Sequence, residues 1–415
     1  MGGLEAAACS SLIGAFQDFL WLIFVYASLV IENTHQYRHA MQLKTATRLW
    51  IWPLTLFLTA CAGFNTGAID QPVRSRSFFY VGGKYVGSPG KEIMQGQMYV
   101  EKWQPQQVKQ PYPLVLIHGA AQTATNWMMT PDGRKGWAEH FLELGYVVYM
   151  VDQPARGRSA WHPDVNGKLR MYTAPQLEQL FTASATLGNW PQAKLHTQWP
   201  GTGRRGDATF DAFYATQVES LLSDAETQTL NQAAGAALLD KIGPAILLTH
   251  SQSGPLGWVI AESRPQKVKG IVSIEPSGPP FHNNASGNPK ARAWGVADIA
   301  LTYEPAVTSP EQIKTQVQAS PDGEGLIACT LQADPPRQLV NFRQFPILVT
   351  VSESSYHAPY DHCTAKYLRQ AGAAVDFIRL QERGIRGNGH MVMLEKNNLE
   401  IADFLHQWMS QKIKP

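Results

Sequence analysis

A serine hydroxyl is a poor nucleophile unless a base stands ready to take its proton, and this chain carries side chains of the required kinds in a suggestive order. The segment ILLTHSQSGPLGWVIAE, residues 246–262, runs from an apolar strand-like stretch through His250-Ser251-Gln252-Ser253-Gly254 into a helix-like stretch. A tight strand-to-helix turn of this kind thrusts a serine out over the edge of a sheet. The turn needs small residues two positions either side of the serine, so that strand and helix can approach. Thr249 and Ser253 are both small. The Gly-x-Ser-x-Gly pattern is therefore degenerate but physically acceptable, and its spacing prefers Ser251 to the rival Ser253.

Histidine is the side chain best suited to act as the base near neutral pH. His390 lies in RGNGHMVMLEKNN, after the last strand-like run and before a C-terminal helical stretch, with Gly387 and Gly389 allowing the loop to curl back. A third group, a carboxylate, is needed to orient the imidazole and stabilise its charged form. Glu275 ends the run GIVSIEP, and Glu353 follows the next run, PILVTVSE, with Asp361 close behind. Both orders place the acid between serine and histidine, and spacing alone leaves the choice open. Backbone amides must hold the oxyanion. That of Gln252, next to the serine, is one; after PLVLIH comes His118-Gly119-Ala120-Ala121, where the Ala120 amide is the expected second donor.

Several apolar runs bounded by turn residues would position these groups: PLVLIH (113–118), YVVYMVD (146–152), AILLTH (245–250), GIVSIE (270–275), PILVTV (346–351) and VDFIRL (375–380). Such runs suit parallel strands buried on both faces. Helical stretches near 134–144, 254–263, 362–372 and 397–411 separate several of them, and RSFFYV (76–81) and QMYVEKW (97–103) read as half-buried antiparallel strands opening the sheet. The pattern predicts the α/β class, a mostly parallel central sheet with helices on both faces. The intervals 159–240 and 276–343 are too long for simple crossovers and read as cap or lid insertions on a domain spanning 76–415. Trp127, Trp161, Trp190, Trp199 and Phe281 are candidates for an apolar acyl or alcohol pocket, although such a residue is individually more often core.

At 415 residues, 44% hydrophobic and 16% charged, the chain is long and apolar enough for one large domain. Its formal net charge of +2 gives no reason to expect nucleic acid. Neither CxxC nor HExxH occurs to suggest a metal, and acyl transfer through a serine implies no metal or organic cofactor. Residues 1–75 read as a leader. An apolar run at 11–31 precedes LWIWPLTLFLTA at 49–60, and Leu58-Thr59-Ala60-Cys61 resembles a lipobox whose cysteine would carry a lipid anchor. Met41 would then be the natural start; two membrane helices within 1–60 are the other reading. An exported protein is expected, periplasmic, lipid-anchored at an outer membrane, or secreted, with the anchor its sole membrane contact. Cys329 and Cys363 would either pair or remain as buried thiols. A homodimer is compatible with the sequence.

The run from HGAAQTATNW through TPDGRKGW, VDQPARGRS, LLTHSQSG and IVSIEP to GNGHMVMLEKNNLEIADFLHQW resembles the esterase 713-like bacterial esterases of the α/β-hydrolase superfamily, over about 76–412. The resemblance implies the α/β-hydrolase fold and an acid in a Val-Glu-Pro-like segment after the strand that follows the elbow. It thereby selects Glu275 over Glu353, and it agrees with Ser251 and His390. Ala120-Ala121 stands where the family prototype has paired cysteines, so the details of the pocket do not carry over. Arg156-Gly157-Arg158-Ser159 also matches; it reads either as a substrate-side contact or as a turn with arginines paired to carboxylates. The expected activity is hydrolysis of small to medium apolar carboxylic esters through an acyl-enzyme. Acyl transfer, thioester or amide cleavage by the same residues, or a non-catalytic binding lipoprotein, are the alternatives.

Overall fold

The computed structural model describes residues 73–415; the apolar runs at 11–31 and 49–60, Met41 and Cys61 lie outside them. Eight strands form one sheet: β1 (Val73–Val86), β2 (Ile93–Pro105), β3 (Leu114–Ile117), β4 (Val148–Asp152), β5 (Ala245–His250), β6 (Val268–Ile274), β7 (Ile347–Val351) and β8 (Val375–Arg379). Their spatial order is β1-β2-β4-β3-β5-β6-β7-β8. β1 and β2 pair antiparallel, as do β2 and β4, and every other neighbouring pair is parallel.

The apolar runs owe their continuity to burial on both faces. Side chains alternate across a strand. Leu114 and Leu116 of β3 accordingly join one core with Trp137, Phe141 and Leu405, whereas Val115 and Ile117 join a second with Leu256, Val259 and Tyr367. Helices α1 (Trp137–Glu143) and α5 (Asn398–Lys412) contribute to the first core. Three others contribute to the second: α2 (Asp224–Ile242), α3 (Ser253–Ser263) and α4 (Asp361–Gln370).

Helix α2 lies mostly inside the interval 159–240 read as an insertion, but it packs on β1 and α3 and covers the sheet. Its buried positions include Thr227, Gln228, Asn231, Ala234, Gly235 and Ala236, so its buried face has little apolar periodicity to reveal it. Gly235 admits α3: a Cβ there would lie 2.4 Å from Cγ1 of Ile260.

What remains of the first interval forms a small cap. Leu169–Arg170 pairs with Ser220–Leu221, and short helices at Ala174–Leu177, Ser184–Leu187 and Ala208–Ala215 fill the space between. The interval 276–343 holds two further short antiparallel pairs. It is stapled to α4 by a disulfide between Cys329 and Cys363, whose Cα atoms are 5.2 Å apart. Among the described residues no helix is long and apolar enough to cross a membrane.

Candidate active site

Strand β5 ends at His250, α3 begins at Ser253, and Ser251 between them has φ 57. A left-handed φ is costly for a residue with a side chain and persists where surrounding structure enforces it. Two contacts enforce it here. The Ser251 amide donates to the Ile274 carbonyl at 3.0 Å, and the Ser253 hydroxyl stitches the turn, accepting from the His250 amide at 2.8 Å and lying 2.6 Å from the Ile117 carbonyl. Ser253 is therefore committed to backbone groups and fully buried. Close packing at the exit requires Gly254, where a Cβ would stand 2.4 Å from that of Pro276.

Glu275 follows β6 directly, with φ 48, and is completely buried. Its Oε1 accepts from the Ser352 amide at 2.8 Å. Its Oε2 accepts from the Ser355 hydroxyl and lies against Nδ1 of His390, each at 2.5 Å. Glu353 is placed differently. It accepts from Arg386 at 2.8 Å and from the Gly387 amide at 2.9 Å, so it anchors the loop that carries His390 without reaching the imidazole. Asp361 lies 3.0 Å from Nδ1 of His357.

The His390 loop is held on several sides. Glu395 accepts from the Gly389 amide at 2.9 Å and from Asn388 at 2.7 Å, and it pairs with Nε2 of His196 from the cap at 2.7 Å. The Thr197 amide donates to the Gly387 carbonyl at 2.9 Å. The imidazole of His390 is stacked between Phe181, 4.9 Å away, and His357, 4.8 Å away. His250 packs beside it, 4.4 Å between ring centroids, and its Nε2–H donates to the His390 carbonyl at 2.9 Å. On the far edge of the imidazole, Nε2 is 3.5 Å from the hydroxyl of Tyr356, which lines the same cavity as Ser251. Glu275 and His390 thus meet beyond the carboxyl end of β6, and His250, the residue before Ser251, packs against the same imidazole.

Burial dominates the electrostatics. It holds His390 well below the usual imidazole range, with the neighbouring His357 adding to the effect. Burial also pushes the Glu275 carboxyl up to about 7, opposed by His357 and by the Ser355 and Ser352 donors. His357 is itself lowered to about 4 by burial. A neutral imidazole with Nδ1–H directed at Glu275 leaves Nε2 free to accept a proton.

Beside Ser251 lies a cavity of about 270 Å³. Ala120, Leu180, Phe181 and Tyr356 form much of its apolar wall, and Arg170, Asp224 and Arg292 form a polar end. Arg170 pairs with Asp224 at 2.8 Å, and Arg292 pairs with Asp298. None of Trp127, Trp161, Trp190, Trp199 and Phe281 is among the lining residues. Trp127 and Trp199 are core, and Trp190 instead donates to the Ser354 carbonyl at 2.9 Å while packing against Tyr356. The Ala121 amide is already taken by the Ser220 hydroxyl at 3.1 Å, whereas among the described residues the Ala120 and Gln252 amides donate to no other backbone oxygen.

Sequence reasoning overlooked Tyr356, Ser352, Ser355, His357 and Phe181. Each owes its place to tertiary packing around His390, and none sits in a local pattern. The SESSYH run at 352–357, which contains Glu353, was the available signal for four of them.

The α/β-hydrolase family model matches residues 114–404. A protein described as "probable secreted lipase phiG", from a fungal species (strain ATCC 74256), is 48% identical over 337 residues, covering 81% of this chain and 90% of its own. A solved structure described as a novel bacterial esterase is 26% identical with a TM-score of 0.59, covering 82% of this chain and 97% of its own. The chain belongs to the α/β-hydrolase family. Within that family it is a hydrolase of the lipase and esterase type.

Proposed function

We propose that the protein hydrolyses small to medium carboxylic esters through a covalent acyl-enzyme on Ser251. His390 takes the Ser251 proton on Nε2 as Oγ attacks the ester carbonyl, and Glu275 holds the imidazole by Nδ1 and balances its transient charge. The amides of Gln252 and Ala120 receive the carbonyl oxygen as it becomes an anion. His390 then returns the proton to the departing alcohol, and water repeats the sequence to release the acid.

The observation that carries this reading is the polarity of His390: one ring nitrogen lies on a buried carboxylate, and the other faces the hydroxyl of Tyr356, which lines the same cavity as Ser251. The cavity's volume, near the low end for small-molecule sites, argues for modest acyl or alcohol groups. Export is supported by the secreted relative and by the Cys329–Cys363 disulfide, which suits an oxidising compartment. A lipid anchor at Cys61 and the choice among periplasm, outer membrane and medium belong to the same proposal.

Hydrolysis of p-nitrophenyl esters from acetate to palmitate by wild type and Ser251→Ala tests it, together with labelling by a fluorophosphonate. Wild type should turn over the short and medium esters and be labelled once per chain; the alanine variant should do neither. A folded wild type inert to both would overturn the proposal.

A further inference from the structure

The segment Arg156-Gly157-Arg158-Ser159 contains two arginines whose surroundings differ completely. Arg158 is a structural ion pair: it donates to Asp152 at 2.8 Å and Glu101 at 2.8 Å, and its guanidinium stacks 3.8 Å from the Tyr99 ring centroid. Arg156 is 4% exposed and, among the described residues, forms no ion pair. The nearby Asp152 is occupied by Arg158 and by the Ala124 amide at 2.8 Å. A buried cation without a counter-ion is expensive and calls for an explanation.

Its hydrogen bonds provide one. Nη1 donates to the Gly119 carbonyl at 2.9 Å, and Nη2 donates to the side-chain oxygen of Gln252 at 3.0 Å. The Gly119 carbonyl and the Ala120 N–H are the two ends of a single peptide group. A cation on the carbonyl oxygen draws density from the nitrogen and makes that N–H a stronger donor. His118 acts in the same sense. Its Nδ1 is 2.9 Å from the same carbonyl, and because a carbonyl can only accept, Nδ1 carries the proton. The other arm of Arg156 fixes Gln252, whose own amide is the second oxyanion donor. Gly119 sits close against the nucleophile, since a Cβ there would lie 3.0 Å from that of Ser251. Burial lowers Arg156 to about 10, which leaves it charged at neutral pH.

We propose that Arg156 is a positioning residue of the oxyanion hole, polarising the Ala120 amide through the Gly119 carbonyl and fixing Gln252 by its side chain, so that the two donors bind the anionic tetrahedral adduct in preference to the neutral ester. The inference rests on the acyl-enzyme reading. As the Ser251 Oγ–carbon bond forms, the carbonyl π pair moves onto oxygen and the hydroxyl proton goes to His390. Negative charge appears only at that point, so Arg156 acts on kcat and little on KM.

The test uses the full-length protein with a short p-nitrophenyl ester and two inhibitors. An alkyl trifluoromethyl ketone adds to serine as an oxyanion, and the matching methyl ketone binds without ionising. Arg156→Gln should lower kcat by about 10- to 100-fold, less than the roughly 10²–10³ for loss of a direct donor. KM should stay within threefold. Affinity for the trifluoromethyl ketone should fall by the same factor as kcat, and affinity for the methyl ketone should hold. Arg156→Lys, which keeps the charge, should recover part of the loss. Should Arg156→Gln fail to fold, Gln252→Met, which releases only one arm, should weaken the trifluoromethyl ketone several-fold while sparing the methyl ketone. Equal weakening of both ketones, or unchanged kcat in a folded variant, would overturn the role given to Arg156 while leaving the hydrolase reading intact. A wild type that neither turns over esters nor reacts with the trifluoromethyl ketone would instead remove the acyl-enzyme reading on which the role depends.

Discussion

Replacing Glu275 by glutamine should make the protein much slower and no less stable. The carboxylate is an acceptor for Ser352 N–H, the Ser355 hydroxyl and His390 Nδ1. A glutamine can keep the Ser352 bond through its oxygen, but its NH₂ then faces Nδ1 at the position where Oε2 lies 2.5 Å away. The imidazole responds by carrying its proton on Nε2, the tautomer that cannot accept from Ser251. An equivalent acid-to-amide change in a serine triad lowers kcat by about 10⁴, or about 5 kcal/mol of activation energy. Stability runs the other way. The Glu275 carboxyl is raised to about 7, above its unfolded value, so the folded state holds a proton that the unfolded chain has released between pH 4.5 and 7. Stability from this group is therefore lost as pH rises through that window, by about 3 kcal/mol at pH 8. Glutamine removes that penalty. The assay is kcat for a p-nitrophenyl ester, with urea unfolding at pH 8, on Glu275→Gln and Glu353→Gln. Glu353 bonds only the loop backbone and a largely exposed Arg386, and its loss should cost only a few-fold in rate. A Glu275→Gln enzyme within tenfold of wild type, or a larger loss from Glu353→Gln, would refute the reasoning.

Acid should destabilise the fold through its buried histidines. Burial lowers His118 to about 3 and His357 to about 4, and it places His250 and His390 well below the ordinary value. The unfolded chain protonates these groups first, so stability falls as pH drops below about 6.5, by about 2 kcal/mol each at pH 5 for His118 and His357. The raised Glu275 opposes this with about 3 kcal/mol, and His250 and His390 add to the loss. A urea midpoint no lower at pH 5 than at pH 7 would contradict this balance. Reducing the Cys329–Cys363 bond, which spans 34 residues, should cost about 3–4 kcal/mol on the chain-entropy account. Thermal unfolding with and without dithiothreitol checks it, and an unchanged midpoint after confirmed reduction would contradict it.

Much of this architecture was written locally. The strands β3 to β8 are legible because parallel strands covered on both faces must be apolar throughout, and the elbow is legible because a tight strand–turn–helix tolerates only small neighbours. Ser251 and His390 stand out as candidates on the same local grounds. The choice between Glu275 and Glu353 is not local: both follow adjacent strands, and only the assembled sheet sets one against Nδ1 of His390 and the other against Arg386. Helix α2 is hard to read locally because its buried face from Thr227 to Ala236 is polar groups, alanine and glycine, with Leu238 and Leu239 only near its end, which suffices where Gly235 lets α3 approach closely. The pocket walls, the Tyr356 contact and the separation of Arg156 from Arg158 likewise arise from residues far apart in the chain. Local sequence records burial and backbone shape, whereas hydrogen-bond partners and buried charge are properties of the packed whole.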